Sequence, residues 1–163
     1  EASMETSHNE LFIGHMRDKE HISEMVFQYA TALDYRQWEL LVPLFKPNVQ
    51  YSYGGYVKGS GCDDLIAMIR SNLDGCGPSQ HLFSNLRISI GGQADNDHAS
   101  CLFYGRVMHA GVEQESHLLF DFWGEYYCQL VRNKTAGPHH WLISDITQTG
   151  FHATGEMKIL KGK

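Results

Sequence analysis

No stretch of this chain gathers even four Lys or Arg residues together, and its 163 residues carry a net charge of −6 with histidine neutral. The electrostatic footprint for nucleic acid or an anionic membrane is therefore missing. No apolar run approaches the roughly 20 residues that a membrane-spanning helix needs. Cysteine is sparse: Cys62, Cys76, Cys101 and Cys128 stand singly, with no C-x-x-C. That spacing excludes a disulfide scaffold and a zinc knuckle, and reads as ordinary intracellular thiols. The N-terminus has neither a basic n-region nor an apolar h-region, so a cytoplasmic location is expected. Nucleotide cradles of the G-x-G-x-x-G and G-x-x-x-x-G-K-[ST] kinds are absent, as are H-E-x-x-H and G-x-S-x-G. Neither a metal nor another cofactor is expected. His139-His140 is read as a solvated pair, and His15, His21, His98 and His152 as surface residues.

What is present is a 42% hydrophobic chain, 12% of it aromatic, which is enough for one core and an aromatic-lined cavity. Asp18 can cap a helix to about Leu33, because Ile22, Met25, Val26, Tyr29, Ala30 and Leu33 recur at three- and four-residue steps. A second helix is expected over Arg36–Phe45, disturbed at Pro43 and stopped at Pro47. A tyrosine-alternating strand follows over Val49–Val57, interrupted by Gly54-Gly55, and then a helix over Asp63–Leu73. The second half reads as strands: Leu82–Ile90, Ser100–Ala110, Ser116–Arg132 and Trp141–Thr149. In the first of these His81, Phe83 and Asn85 share one face, and Leu86, Ile88 and Ile90 the other. Helices before a long antiparallel meander imply an α+β fold with a curved sheet around one pocket. Residues 1–17 are read as an N-terminal extension, 18–150 as the domain and 151–163 as a tail.

Asp34, at the end of the first helix, and His81, opening a strand, are the residues most suited to chemistry. A carboxylate that orients an imidazole inside an apolar pocket can move protons on a small molecule. Plainer readings stand beside this one. Asp34 could cap a helix starting near Arg36. His81 could be an edge-strand residue. His109 could be a buried histidine bonded to a backbone carbonyl.

Tyr29-Ala30-Thr31-Ala32-Leu33-Asp34-Tyr35-Arg36-Gln37-Trp38, then Leu44-Phe45-Lys46-Pro47-Asn48, then Gln80-His81, resembles the SnoaL-like branch of the nuclear transport factor 2-like superfamily. The resemblance covers roughly residues 18–150 and implies a cone of curved, mainly antiparallel sheet with N-terminal helices packed on it. Transfer goes furthest with the scytalone dehydratase family. Its aspartate falls on Asp34, its tyrosine on Tyr53, its Thr-Gln-His histidine on His81, and its second histidine on His109. Tyr51 or Tyr56 would take the tyrosine role if Gly54-Gly55 forms a bulge. The chain departs from that family at Leu33, where it has a second tyrosine, and at Gly124-Glu125-Tyr126, where it has a Ser/Asn pair. The implied activity is a cofactor-independent lyase or isomerase acting on a hydrophobic, polycyclic small molecule. Substrate contacts are expected from Tyr29, Tyr51, Asn85, Phe103, Phe122, Trp123 and Tyr126. A non-catalytic ligand carrier or interaction module of the same fold is the alternative, as is a dehydrohalogenase or epoxide-opening member. Apolar residues at both parities of Ser116–Arg132 suggest a homo-oligomer, trimer or dimer, formed through the outer sheet face. The alternative is that a helix or the C-terminal tail, Phe151 to Lys163, covers that face within one chain.

Overall fold

The computed structural model describes residues 2–92 and 95–162. Helix α1 runs from Ala2 to Tyr35, so it begins well before the expected start at Asp18 and crosses the 17/18 boundary without a break. Asp18 is therefore mid-helix and caps nothing. The expected stripe does bury: Ile22, Met25, Val26, Tyr29, Ala30 and Leu33 are all in the core, joined by Ala32. The turns before them reach past the sheet, leaving Leu11, Phe12, Ile13 and Met16 exposed.

The expected helix over Arg36–Phe45 does not form. Two single 3₁₀ turns, Trp38–Leu40 and Val42–Leu44, replace it. Pro43 lacks the N–H an α-helix would need there, and the chain closes i→i+3 bonds instead, Leu41 N–H to Trp38 O at 3.1 Å and Leu44 N–H to Leu41 O at 3.0 Å. Strand β1 (Phe45–Tyr53) then forms a hairpin with β2 (Val57–Ser60), turning through Gly54 and Gly55 at φ 61° and 76°. The single strand expected over Val49–Val57 is thus two. Helix α2 (Cys62–Leu73) matches its expected range closely, with Asp63 and Asp64 placed favourably in its first turn.

Of the remaining strands, β3 (Ser79–Gly92), β4 (Asp95–Ala110) and β6 (Trp141–Gly155) run longer than expected, while β5 (Leu119–Arg132) starts at Leu119 rather than Ser116. The run Gly91-Gly92-Gln93-Ala94-Asp95-Asn96-Asp97 has the composition of a turn, and of it Gln93 and Ala94 lie outside the described residues. The sheet order is β2-β1-β6-β5-β4-β3, and only the β1–β6 pairing is parallel. The sheet is curved and unclosed, and the fold is α+β.

The sheet ladders carry several register shifts, and two of them bear on the concave side. One lies in β3 between Ser84 and Arg87, with Asn85 at φ 57°. It resets the alternation, so that His81, Phe83, Leu86, Ile88 and Ile90 all face inward while Asn85 is exposed. The expectation that Asn85 shares a face with His81 is therefore wrong, and a bulge of this kind leaves no mark on the hydrophobic period. The other bulge lies where Trp123–Gly124 of β5 faces Gly150–His152 of β6. A Cβ at Gly124 would run into Thr149 O and the Phe122 ring, and one at Gly105, its register partner, would lie 2.7 Å from the Tyr126 ring. These glycines let the Phe122 and Tyr126 rings lie flat along the concave side.

Away from the cavity, Asp18 is buried at 2% exposure. Arg132 binds it through two nitrogens at 2.8 and 3.1 Å, His139 Nδ1 lies at 3.0 Å, and Trp141 Nε1–H donates to it at 3.0 Å. Burial alone would raise its carboxyl, but these hydrogen bonds and the Arg132 charge outweigh it and hold the group below the usual carboxylate range. His139 and His140 are thus only in part a solvated pair: His139 serves Asp18, whereas His140 is exposed and its ring meets His21 edge-on at 4.8 Å. His21 is half-buried and not a simple surface residue, and one ring nitrogen each of His15 and His21 is buried without a partner. His98 is exposed and pairs with Asp95, and His152 is exposed too, its ring packing on Trp123. All four cysteines are free, and burial pushes the Cys101 thiol up to about 12, which leaves it inert.

Candidate active site

The end of α1 and the start of β3 meet at one carboxylate. Asp34 lies in the last turn of its helix, where the macrodipole disfavours an anion. It is held there by His81. Its two oxygens accept the backbone N–H of His81 at 3.0 and 3.1 Å, and Oδ1 lies 2.6 Å from His81 Nδ1. A carboxylate only accepts, so Nδ1 carries the hydrogen and Nε2 carries the lone pair. No helix starts near Arg36, so the capping reading of Asp34 falls away. β3 is indeed an edge strand, yet the His81 ring turns inward and the residue is 8% exposed.

The His81 ring forms part of the wall of an apolar cavity of about 340 Å³. Its floor and sides are Tyr29, Tyr53, Phe120, Phe122, Val107 and Tyr126, with His109 beside His81 at 5.3 Å between ring centroids. Of the seven expected substrate contacts, Tyr29, Phe122 and Tyr126 are at the cavity. The other four are not. Tyr51 points toward Gly59. Phe103 is buried behind Tyr126, stacked on it at 5.1 Å. Asn85 is exposed. Trp123 faces outward, under the Arg106 guanidinium at 4.7 Å. Of the four residues expected to do chemistry, Tyr53, His81 and His109 line the cavity, and Asp34 stands behind His81.

The phenols are donors here. Tyr29 and Tyr53 share a hydrogen bond of 2.6 Å, and Gln148 Nε2 donates to Tyr126 Oη at 2.9 Å, which leaves the Tyr126 proton free. Burial, reinforced by neighbouring tyrosines, raises Tyr29 and Tyr53 well above the ordinary phenol value, and burial pushes Tyr126 up to about 12. None of the three can act as a base near neutrality. Burial, then the cationic form of neighbouring His81 and the Arg36 charge, drives His109 down to about 3, against a weaker opposing pull from Asp34. His109 is thus neutral, and of the two imidazoles that line the cavity His81 has a carboxylate behind it to stabilise its cation. His109 does not bond a backbone carbonyl; its Nδ1 lies 2.7 Å from Ser79 Oγ.

Several cavity residues had no sequence signal: Met68 and Asn72 on α2, Gln148 on β6, and Met157 and Leu160. The last two come from the tail. Residues 157–160 close over the cavity, tied down by the Cys76 thiol donating to Ile159 O at 3.0 Å and Gly75 N–H to Lys161 O at 2.6 Å. This part of the tail therefore does not cover the outer sheet face. Among the described residues no three His, Cys, Asp or Glu side chains are grouped so as to hold a metal. No helix among them is long and apolar enough to cross a membrane.

The depressed His109 has a consequence for stability. Its folded value lies below the unfolded value of about 6.5, so the unfolded chain takes up a proton first as pH falls. The contribution is complete above about pH 6.5 and drains away toward about 3. Thermal melts from neutral pH to about pH 4 should show wild type losing more stability than His109→Gln. Parallel curves would contradict the burial of a neutral His109.

The family model described as "SnoaL-like domain" matches residues 14–147. The chain belongs to the SnoaL-like family. No curated protein matches it. Among solved structures, a hexachlorocyclohexane dehydrochlorinase, LinA Type2, is 14% identical with a TM-score of 0.75, over 88% of this chain and 92% of that one. A Novosphingobium aromaticivorans protein provisionally named a scytalone dehydratase is 17% identical with a TM-score of 0.74, over 93% and 95%. An NTF2-like protein with a cystatin-like fold from the same species is 20% identical with a TM-score of 0.66, over 89% of each chain. At such identities these likenesses establish the shared fold, which hosts lyase-type enzymes among its members. The SnoaL-like chain has the frame expected of it.

Proposed function

We propose that this protein is a cofactor-independent lyase or isomerase that uses Asp34 and His81 as an acid–base pair on a hydrophobic, polycyclic small molecule. The observation that carries the reading is the 2.6 Å contact between Asp34 Oδ1 and His81 Nδ1 at the edge of an apolar cavity. His81 Nε2 takes a proton from carbon next to a carbonyl or activated ring, and Asp34 stabilises the imidazolium. The electron pair of the broken C–H bond moves onto the substrate oxygen, and Tyr53, Tyr126 or His109 donates a hydrogen bond to that oxygen. In a dehydration the imidazolium returns its proton to the departing hydroxyl; in an isomerisation or ring closure it returns it to carbon. Loss of chloride instead of hydroxide needs the same base, which keeps dehydrohalogenation as the second reading, supported by the fold shared with the LinA enzyme.

A cavity of about 340 Å³ lies toward the small end of ligand sites, which run from roughly 300 to 1,000 Å³, and fits two or three fused rings of a polyketide, terpenoid or related metabolite. A carrier would gain nothing from a sequestered carboxylate and imidazole, which are costly to desolvate. Mass analysis of ligand extracted from the purified protein, followed by product profiling with and without enzyme, tests the reading. A ligand recovered unchanged after every incubation would favour the carrier.

The working form is a homo-oligomer, trimer or dimer. The outer sheet face exposes Leu82, Tyr104, Tyr127 and Phe151, with Tyr104 and Phe151 already packed edge-on at 6.2 Å. Burial against a second copy is the physical remedy for such a patch. Light scattering at micromolar concentration should give a multiple of 18.5 kDa, and the single-chain mass would defeat the claim.

A further inference from the structure

Arg36 occupies backbone territory that usually belongs to glycine, with φ 58°. It ends α1 in a Schellman arrangement: Gln37 N–H donates to Ala32 O at 2.9 Å and Arg36 N–H to Leu33 O at 3.4 Å. A residue with a Cβ in that left-handed position costs about 1–2 kcal/mol. Strain of this kind calls for a compensating role of the side chain. The Arg36 guanidinium donates to three carbonyls, those of Leu33, Leu73 at 3.0 Å and Gly77 at 2.9 Å. Its one side-chain acceptor is Ser79 Oγ, at 2.8 Å.

That contact sets a direction. A guanidinium has donors only, so Ser79 Oγ accepts, and the hydroxyl proton remains to be given. Among the described residues its sole acceptor is His109 Nδ1, at 2.7 Å, on the residue directly opposite Ser79 in the β3–β4 register. Nδ1 then holds a lone pair and Nε2 holds the hydrogen. Nε2 has no hydrogen-bond partner among the described residues, and the ring lines the cavity. The charged or titratable groups around His109 are His81, Arg36 and Asp34.

We infer that Arg36 and Ser79 are positioning residues that hold His109 as a neutral imidazole with its Nε2–H offered to a substrate oxygen. The two neighbouring imidazoles thereby have opposite tautomers and opposite tasks. His81 accepts a proton from carbon at Nε2; His109 donates a hydrogen bond from Nε2 without releasing its proton. The inference deepens the proposed acid–base reading and rests on it for the substrate's role, but the tautomers can be read without any substrate.

The test is nitrogen-15 NMR of the full-length protein labelled at histidine, with the two rings assigned by signals lost in His109→Gln and His81→Gln. His109 should show an unprotonated Nδ1 and a protonated Nε2, unchanged from neutral pH to about pH 5, well above its own value of about 3. Ser79→Ala should collapse that split toward an average of the two tautomers, and Ser79→Thr should restore it. Arg36→Gly, which suits the left-handed backbone and so keeps the helix end, should shift the pattern as Ser79→Ala does. A His109 protonated at Nδ1, or one that keeps the wild-type split in both Ser79→Ala and Arg36→Gly, overturns the inference. His81 is read in the same spectra: its Nδ1–H should persist in every Ser79 and Arg36 variant. Loss of that signal in wild type would defeat the acid–base reading while leaving the Arg36–Ser79–His109 relay intact.

Discussion

Replacing His81 with alanine should lower turnover by about 10²–10⁴-fold, the usual contribution of a positioned general base, with the fold retained and ligand still bound. Cavity binding rests mainly on aromatic and aliphatic walls contributed by β4, β5, α2 and the tail, which that substitution leaves in place. Asp34→Asn should cost less, about 10–100-fold. Asp34 Oδ1 alone accepts both His81 Nδ1–H and, in part, its backbone N–H. An amide oxygen in that position keeps the imidazole oriented, but it no longer stabilises the imidazolium. Steady-state rates on any substrate found by product profiling check the order: wild type, then Asp34→Asn, then His81→Ala. Equal rates in all three would remove the pair from the chemistry.

The largest effect on stability belongs to a residue remote from the cavity. Asp18→Ala should destabilise the fold by about 3–5 kcal/mol, since it removes the buried carboxylate that bonds the largely buried Arg132. Three factors favour the lower part of that range: Asp97 Oδ1, a half-buried carboxylate, stays 3.5 Å from Arg132 Nε, Arg132 also bonds Asn96 O and Pro138 O, and its guanidinium sits 4.4 Å from the Trp141 ring. Even so, His139 and Trp141 lose their acceptor at the same time. For a domain of this size the change corresponds to a fall in melting temperature of roughly 6–20 °C, measurable by calorimetry. A fall of a degree or two would mean that Asp18 is an ordinary surface carboxylate.

Asp34 and His81 were legible because each sits at the boundary of an element that hydrophobic period alone can find, and the order of Asp34, Tyr53, His81 and His109 along the chain carries the family's pattern. What lay out of reach was local geometry. The Asn85 bulge turns one residue out of the cavity while keeping Leu86, Ile88 and Ile90 inward, and nothing in the alternation announces it. Arg36 was expected to begin a helix, whereas its left-handed backbone ends one and aims the guanidinium at Ser79. Trp123 shows a different error: adjacent strand residues point to opposite faces, so Phe122 and Trp123 could not both line the cavity, and aromatic character alone suggested that they did. Asp18 was read as a cap because nothing local revealed Arg132, His139 and Trp141, which converge on it from more than a hundred residues away. The tail over the cavity is a long-range contact of the same kind.

The central claim is that His81, backed by Asp34, removes a proton from carbon inside the apolar cavity. Its most direct test is deuterium wash-in to 2-tetralone, a two-ring ketone with acidic hydrogens beside its carbonyl, incubated in heavy water and followed by NMR. Wild type should exchange those hydrogens faster than buffer alone, and His81→Ala at equal ligand occupancy should fall back to the buffer rate. Exchange by His81→Ala as fast as wild type, or bound ketone that wild type leaves unexchanged, would contradict the account.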